Sequence, residues 1–136
     1  MPRTTLETAG EDLAGQYNVY MEGCPARLVF SRLADKWSLL IVKILRDDAH
    51  RFNQLRREIG GISPKALSQT LQKLERDGLV HREAFATVPV TVEYSLTQLG
   101  RTLSELVEPL VVWAETHMEQ VLRSQTEYDV VSRTRQ

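Results

Sequence analysis

The chain has 136 residues and a formal net charge of −1, with 42% hydrophobic and 26% charged residues, a balance that excludes a wholly disordered chain and suits one compact domain with its own core. No apolar run approaches the ~18–20 residues of a membrane span, and the opening MPRTTLETAGEDLAG lacks the apolar stretch of a signal peptide. A cytoplasmic protein without a membrane partner is therefore expected. The single cysteine, Cys24, excludes an intramolecular disulfide framework and a cysteine-based metal cluster, and leaves open a bond between two chains.

Residues 1–22 are polar and read as a flexible arm. Gly23-Cys24-Pro25 is expected to open a short helix carrying Leu28, Val29 and Leu33. Asp35 or its neighbour starts a second helix, in which Trp37, Leu40, Ile41, Ile44 and Leu45 follow the spacing of a core face. A brief extended piece at Ala49–Arg51 precedes a two-turn helix marked by Phe52, Leu55 and Ile59, which stops at Gly60-Gly61.

The stretch Gly60–Val80 is the most informative. Ser63 is a good N-cap, and Pro64 falls at the first helical position, where its missing N–H is harmless. Ile62 and Leu67 have the spacing of a hydrophobic staple. Leu67, Leu71 and Leu74 form one buried stripe, whereas the other face carries Lys65, Ser68, Gln69, Gln72, Lys73 and Arg76, all donors and none acidic. Asp77-Gly78 ends the helix, with Gly78 suited to the left-handed position. This is the layout of a helix-turn-helix whose second helix presents side chains to DNA. An ordinary amphipathic helix with a solvated face is the plainer reading.

After Gly78, LVHREAF and VTVEYSL read as two strands joined around Thr87-Val88-Pro89, a β-hairpin wing. Thr97 caps a long last helix to Arg123, kinked at Pro109, with Leu99, Leu103, Leu106, Leu110, Trp113 and His117 near heptad spacing. Residues 124–136 read as a frayed tail. The fold class is mainly α with a small β-hairpin, a winged helix-turn-helix domain spanning residues 23–123.

Charge is distributed unevenly. From His50 to Arg82, seven basic residues face three acidic ones, a local net of +4, whereas the first 24 residues carry −3 and Thr97–Arg123 carry −2. A basic patch on a near-neutral chain is the footprint of a compact DNA reader.

The motifs, in order, are Cys24-Pro25, Lys36-Trp37, Arg51-Phe52 with Leu55-Arg56-Arg57, Gly61-Ile62-Ser63 with Leu67 and Gln69, and Leu74-Glu75 with Asp77-Gly78-Leu79-Val80. Val88-Pro89, Val92-Glu93-Tyr94, Leu96-Thr97 and Gly100 close the run. From Cys24 to about Trp113 the chain resembles the HxlR-type winged-helix transcription regulators, relatives of the MarR group. It departs from them at Ala34-Asp35, where Gly-Gly is frequent, and at Thr91, where the wing commonly has an arginine. The resemblance implies a dimer held by the first and last helices, with N- and C-terminal dimerisation segments flanking the reader. Leu28, Leu99, Leu103, Leu106, Leu110, Trp113 and His117 are the expected interface. The alternative is that this seam folds back on its own domain.

Groove geometry then assigns roles. The second helix of such a motif enters the major groove, which puts Lys65, Ser68, Gln69 and Gln72 against base edges. Arg56 and Arg57 are placed for phosphates, unless Arg57 pairs with a local acid. Arg51, Ser63, Lys73, Arg82 and Thr91 complete the expected DNA-facing set, with Arg82 standing in partly for the missing wing arginine. A twofold dimer favours a palindromic operator on double-stranded DNA, its half-sites roughly 34 Å apart. In some relatives the cysteine at the position of Cys24 senses oxidants or electrophiles such as quinones. Before Pro25 at a helix N-terminus, with Arg27 nearby, Cys24 suits that role. A buried, inert thiol is the alternative. The expected function is a dimeric repressor released by an oxidant, quinone or other small-molecule inducer.

No nucleophile–base pair or phosphate-binding loop appears, so neither an enzyme nor a cofactor is expected. His50, His81 and His117 lack metal-ligand spacing and read as surface or interface residues. Trp37 and Trp113 are expected in the core or the interface, or lining a ligand pocket between them. A winged helix used as a protein-interaction module, without an operator, is the competing function.

Overall fold

The computed structural model describes residues 16–135, so the expected arm lies outside the described residues except for its last seven. From Arg27 on, the described residues form, in order, α1 (Arg27–Ala34), α2 (Lys36–Leu45), β1 (His50–Arg51), α3 (Phe52–Glu58), α4 (Pro64–Arg76), β2 (Val80–Phe85), β3 (Thr91–Leu96) and α5 (Gln98–Arg135). The strands form one antiparallel sheet with β3 in the middle. Val80 pairs with Leu96 and Phe85 with Thr91 across the hairpin, and His50–Arg51 pairs with Tyr94 and Glu93 on the other edge. The short extended piece thus becomes a third strand that ties the start of α3 to the wing.

The core sits where α2, α3 and α4 converge on the sheet and on the first turns of α5. Ile41, Val42 and Leu45 meet Leu55, Leu67, Leu71, Leu74, Val80, Leu96 and Val107 there. The α2 stripe is rotated from the expected one. Ser38, Ile41, Val42 and Leu45 are buried, while Trp37, Leu40 and Ile44 are half-buried at its edge. The reason is that α2 is packed from two sides, by α4 and by α5, so its inward face lies between the two apolar rows. Asp35 caps it, accepting from the Trp37 N–H (3.1 Å).

Two further expectations change, and the alternative of a pocket between the tryptophans is lost. The helix expected at Gly23–Pro25 begins two residues past Pro25, with Ala26 as its N-cap. Cys24 lies in the preceding turn, its carbonyl accepting from the Arg27 N–H (3.2 Å). Residues 124–135 are not frayed but continue α5, a helix of 38 residues about 57 Å long. Exposed Leu122, Tyr128, Val130 and Val131 give this end an apolar content that a simple polar reading overlooks. Pro109 lies within α5 and deprives the Glu105 carbonyl of its partner, but the helix continues on both sides. The tryptophans do not share a pocket: Trp37 packs on the core beneath Lys36 Nζ (4.5 Å), whereas Trp113 lies on exposed α5, stacked on His117 (4.8 Å between centroids).

Candidate nucleic-acid interface

The sequence dictates α4 closely. Ser63 Oγ accepts from the Ala66 N–H (3.0 Å), and Pro64 occupies the first helical position. Ile62 and Leu67, the staple pair, are both buried. At the other end Gly78 has φ +76°, the Gly78 N–H donates to the Glu75 carbonyl (3.0 Å) and the Leu79 N–H to the Leu74 carbonyl (2.9 Å). These two bonds are a Schellman closure. Both ends of the helix are thereby satisfied without borrowing donors from its outer face.

That outer face is free. Leu67, Thr70, Leu71 and Leu74 point inward, while Lys65, Gln69, Gln72, Lys73 and Arg76 are exposed and Ser68 is half-exposed. Among the described residues, no carboxylate lies within ion-pair distance of Arg51, Arg56, Arg57, Lys65, Lys73, Arg76 or Arg82, since the ion pairs found involve Arg32, Lys43, Arg46, His50 and His81 instead. Arg57 therefore does not pair with a local acid. The nearest candidate, Glu58, is taken by His50 Nε2 (2.9 Å), while His50 Nδ1 contacts the Asp48 carbonyl (2.9 Å). This clamp fastens the end of α3 to β1 and leaves the arginines outside it.

The expected contact residues gather on either side of the wing. In a hollow of about 370 Å³ between α4 and the sheet, Ser68 and Gln72 face Arg82, with Leu71, Glu75 and Tyr94 completing the lining. On the far side, Arg51 and Arg57 line a hollow of about 680 Å³ together with Asn53, Thr91 and Glu93. Gln54 reaches back to accept from the Arg51 N–H (2.7 Å), which caps α3 through the backbone and not through the Arg51 guanidinium. Arg56, Lys65, Gln69 and Lys73 are exposed outside both hollows. Tyr94, Glu75 and Glu93 were missed by reasoning on donors alone. Strand alternation is the signal that finds Tyr94, because it stands directly opposite Arg82.

The wing tip is unlike its surroundings. Val88 and Val90 are exposed, and the Val88–Pro89 peptide is cis. Thr87 Oγ1 donates to the Pro89 carbonyl (2.7 Å) and lies 3.2 Å from Thr91 Oγ1, so the polar atoms of the tip are used on one another.

The expected interface residues divide into two sets. Gly100, Ser104 and Val107 are the core-facing stripe of α5, and half-buried Leu103 packs beside them. Leu28, Leu99, Leu106, Leu110 and Trp113 remain exposed, Leu106 by 67% and Trp113 by 55%, so of the seam leucines Leu103 alone folds back on its own domain. Half-buried His117 is engaged within the chain through Trp113. Cys24 is half-buried. Arg27, expected beside it, instead donates to the Val19 (2.7 Å) and Tyr20 (3.1 Å) carbonyls, and so pins the turn that precedes Cys24. Among the described residues no helix is long and apolar enough to cross a membrane.

Comparison with known proteins agrees with this geometry. The chain is 48% identical over 105 residues to the uncharacterized HTH-type transcriptional regulator YtfH of Escherichia coli K12, which covers 77% of this chain and 83% of that one. The solved structure of ytfH from Salmonella typhimurium superposes with a TM-score of 0.75 at 44% identity, covering 81% of this chain and 98% of that one. The redox regulator HypR in its reduced form gives 0.66 at 38% identity, covering 74% and 98%, and in its oxidized form 0.64 at 39%, covering 68% and 96%. The HxlR-like helix-turn-helix family matches residues 32–122. With a donor-faced second helix, a three-stranded winged sheet and close relatives named as regulators, the chain belongs to the HxlR-like family of helix-turn-helix transcriptional regulators.

Proposed function

We propose that this regulator is a homodimer that reads a palindromic operator on double-stranded DNA and acts as a repressor released by an oxidant, a quinone or another small-molecule signal. The observation that carries the DNA reading is the α4 surface, a helix capped at both ends whose exposed cations and amides have no ion-pair partner among the described residues, Glu75 included. Lys65, Ser68, Gln69 and Gln72 read bases, Lys and Gln being suited to guanine and adenine edges respectively. Arg51, Arg56, Arg57, Ser63, Lys73 and Arg82 bind phosphates or fix the helix, with Thr91 a weak contributor at the wing.

Dimerisation is supported by α1, which buries none of its eight residues although Leu28, Val29 and Phe30 are apolar. A helix so exposed gains little from its own domain. Covering it together with Leu99, Leu106, Leu110 and Trp113 by a second copy would remove that surface from water. For signalling, the support is a sole, half-buried cysteine and similarity to HypR, a redox regulator. Two Cys24 thiols, one per protomer, would give up two protons and two electrons to an oxidant and form one disulfide. A quinone would instead add to a single thiolate.

The test is selection of bound fragments from the source genome, followed by titration of the selected duplex and of random DNA across salt concentration. Preference for one palindrome, with affinity falling as salt rises, is expected. Weak binding without sequence preference at every salt concentration would favour an interaction module instead. Treatment with diamide or a quinone should release wild type and spare Cys24→Ser, and equal release of both would exclude Cys24 as the sensor.

A further inference from the structure

Three ties converge on the last turn of α4. Arg32 of α1 grips the carboxylate of Asp77, the C-cap residue, with Nε on Oδ2 and Nη2 3.4 Å from Oδ1. Thr97 donates from Oγ1 to the Gly78 carbonyl (2.6 Å) and from its N–H to the Leu79 carbonyl (3.1 Å). Gly100 brings the start of α5 so near that a Cβ there would lie 2.1 Å from the Leu79 carbonyl oxygen. The second and third ties hold α4 to α5. The first is, among the described residues, the polar link between α1 and α4.

A carboxylate at a helix C-cap is opposed by the helix dipole, so Asp77 is a poor choice for α4 considered alone. It is well matched to a guanidinium arriving from outside. Both side chains are little exposed, 16% for Arg32 and 15% for Asp77, so the fork is shielded and its geometry is restricted. The pair also edges the apolar groove between α1 and α5, about 490 Å³, whose lining includes Leu28, Val29, Leu99 and Leu106. The exposed face expected to meet a second copy therefore shares a groove with the charged contact that, among the described residues, reaches the C-cap of the reading helix.

We propose that Arg32 is a positioning residue for DNA reading: through Asp77 it sets the seat of α4, and it passes any shift of α1 to the donor face of that helix. Arg32 itself contacts no DNA, being committed to Asp77. The role rests on the operator-reading function proposed above. It goes beyond that function in naming the contact by which the first helix controls the reading helix.

The experiment uses the full chain and a duplex selected from the source genome with the wild-type protein. Arg32→Gln and Asp77→Asn should each weaken binding to that duplex about tenfold, while random-DNA affinity and the salt slope stay unchanged because no phosphate contact is lost. Arg32→Lys, which keeps the charge but not the fork, should fall between. The reversed pair, Arg32→Asp with Asp77→Arg, should recover most of the loss. Wild-type operator affinity in both single variants would overturn the proposal. So would a fall in random-DNA affinity with a slope lower by about one phosphate, which would make Arg32 a direct contact. A reversed pair that melts like wild type but recovers nothing would also overturn it. If wild type itself shows no preference for any duplex, the operator-reading function fails, and this role with it.

Discussion

Between Lys65 and Arg76, α4 carries three cations, the exposed carboxylate of Glu75 and a row of neutral donors, none of them in an ion pair among the described residues, whereas residues 86–92 at the wing tip carry no charge and place Val88 and Val90 in solvent. The two regions belong to one candidate surface but are built on opposite principles. The helix is fixed at both ends, so its backbone has little freedom to lose on binding. The wing uses its hydroxyls internally and offers shape and apolar area in place of charge. Discrimination among sequences should therefore reside in α4, with the wing contributing contact but little electrostatic pull.

The contrast breaks most completely where α4 is anchored. Gly100→Ala would push a methyl group into the Leu79 carbonyl, 2.1 Å away, and backbone on both sides has to move. A loss of about 3 kcal/mol in unfolding free energy by urea titration is expected, with operator binding lost in step. A change below about 0.5 kcal/mol would mean that α5 does not fix the reading helix.

A direct comparison of the two regions comes next. Gln69→Ala removes an exposed amide from α4 and should weaken binding to the selected duplex by about 2 kcal/mol while relaxing preference at one base pair. Val88→Ala at the wing tip should change either quantity by less than about 0.5 kcal/mol. If Val88 proves the more costly loss, the assignment of discrimination to α4 is reversed. The foundation of α4 can be probed separately. Ser63→Ala leaves the Ala66 N–H without its 3.0 Å acceptor and should lower stability by about 1 kcal/mol in the same urea titration.

Local chemistry explains which parts of this architecture could be read in the sequence. Ser63, Pro64 and Gly78 each act within a few residues of themselves, so the ends of α4 follow from residue type alone, as does the cap at Thr97, which accepts from the Gly100 N–H (3.0 Å). Where two elements meet, the reading fails. The α2 stripe is off by a rotation because the pattern Trp37–Leu45 cannot say that α2 is packed from two sides. Arg27 looks like a neighbour for Cys24 but turns to the Val19 and Tyr20 carbonyls. Arg32 and Asp77 are 45 residues apart, and nothing in either segment names the other. The continuation of α5 past Arg123 is missed for a different reason. Its polar residues suit a solvated helix as well as a tail, and only the interspersed Leu122, Tyr128 and Val131 favour the helix.

A gain smaller than any of the losses at α4 sharpens the comparison most directly, because it asks whether the wing can be given the charge it lacks. Thr91 begins β3 and lines the same hollow as Arg51 and Arg57, so Thr91→Arg would place a third guanidinium on that side of the wing. Each phosphate newly neutralised steepens the dependence of log affinity on log salt by about 0.9, and one exposed contact is worth less than about 1 kcal/mol. The variant should therefore tighten binding by about threefold at low salt, equally for the selected duplex and for random DNA, with the advantage fading as salt rises. The substitution also removes the Thr87–Thr91 hydroxyl contact (3.2 Å), but Thr87 keeps its bond to the Pro89 carbonyl, so the tip retains its shape. A gain confined to the selected duplex would mean that the wing reads sequence, and no gain with an unchanged slope would place the wing away from the phosphates.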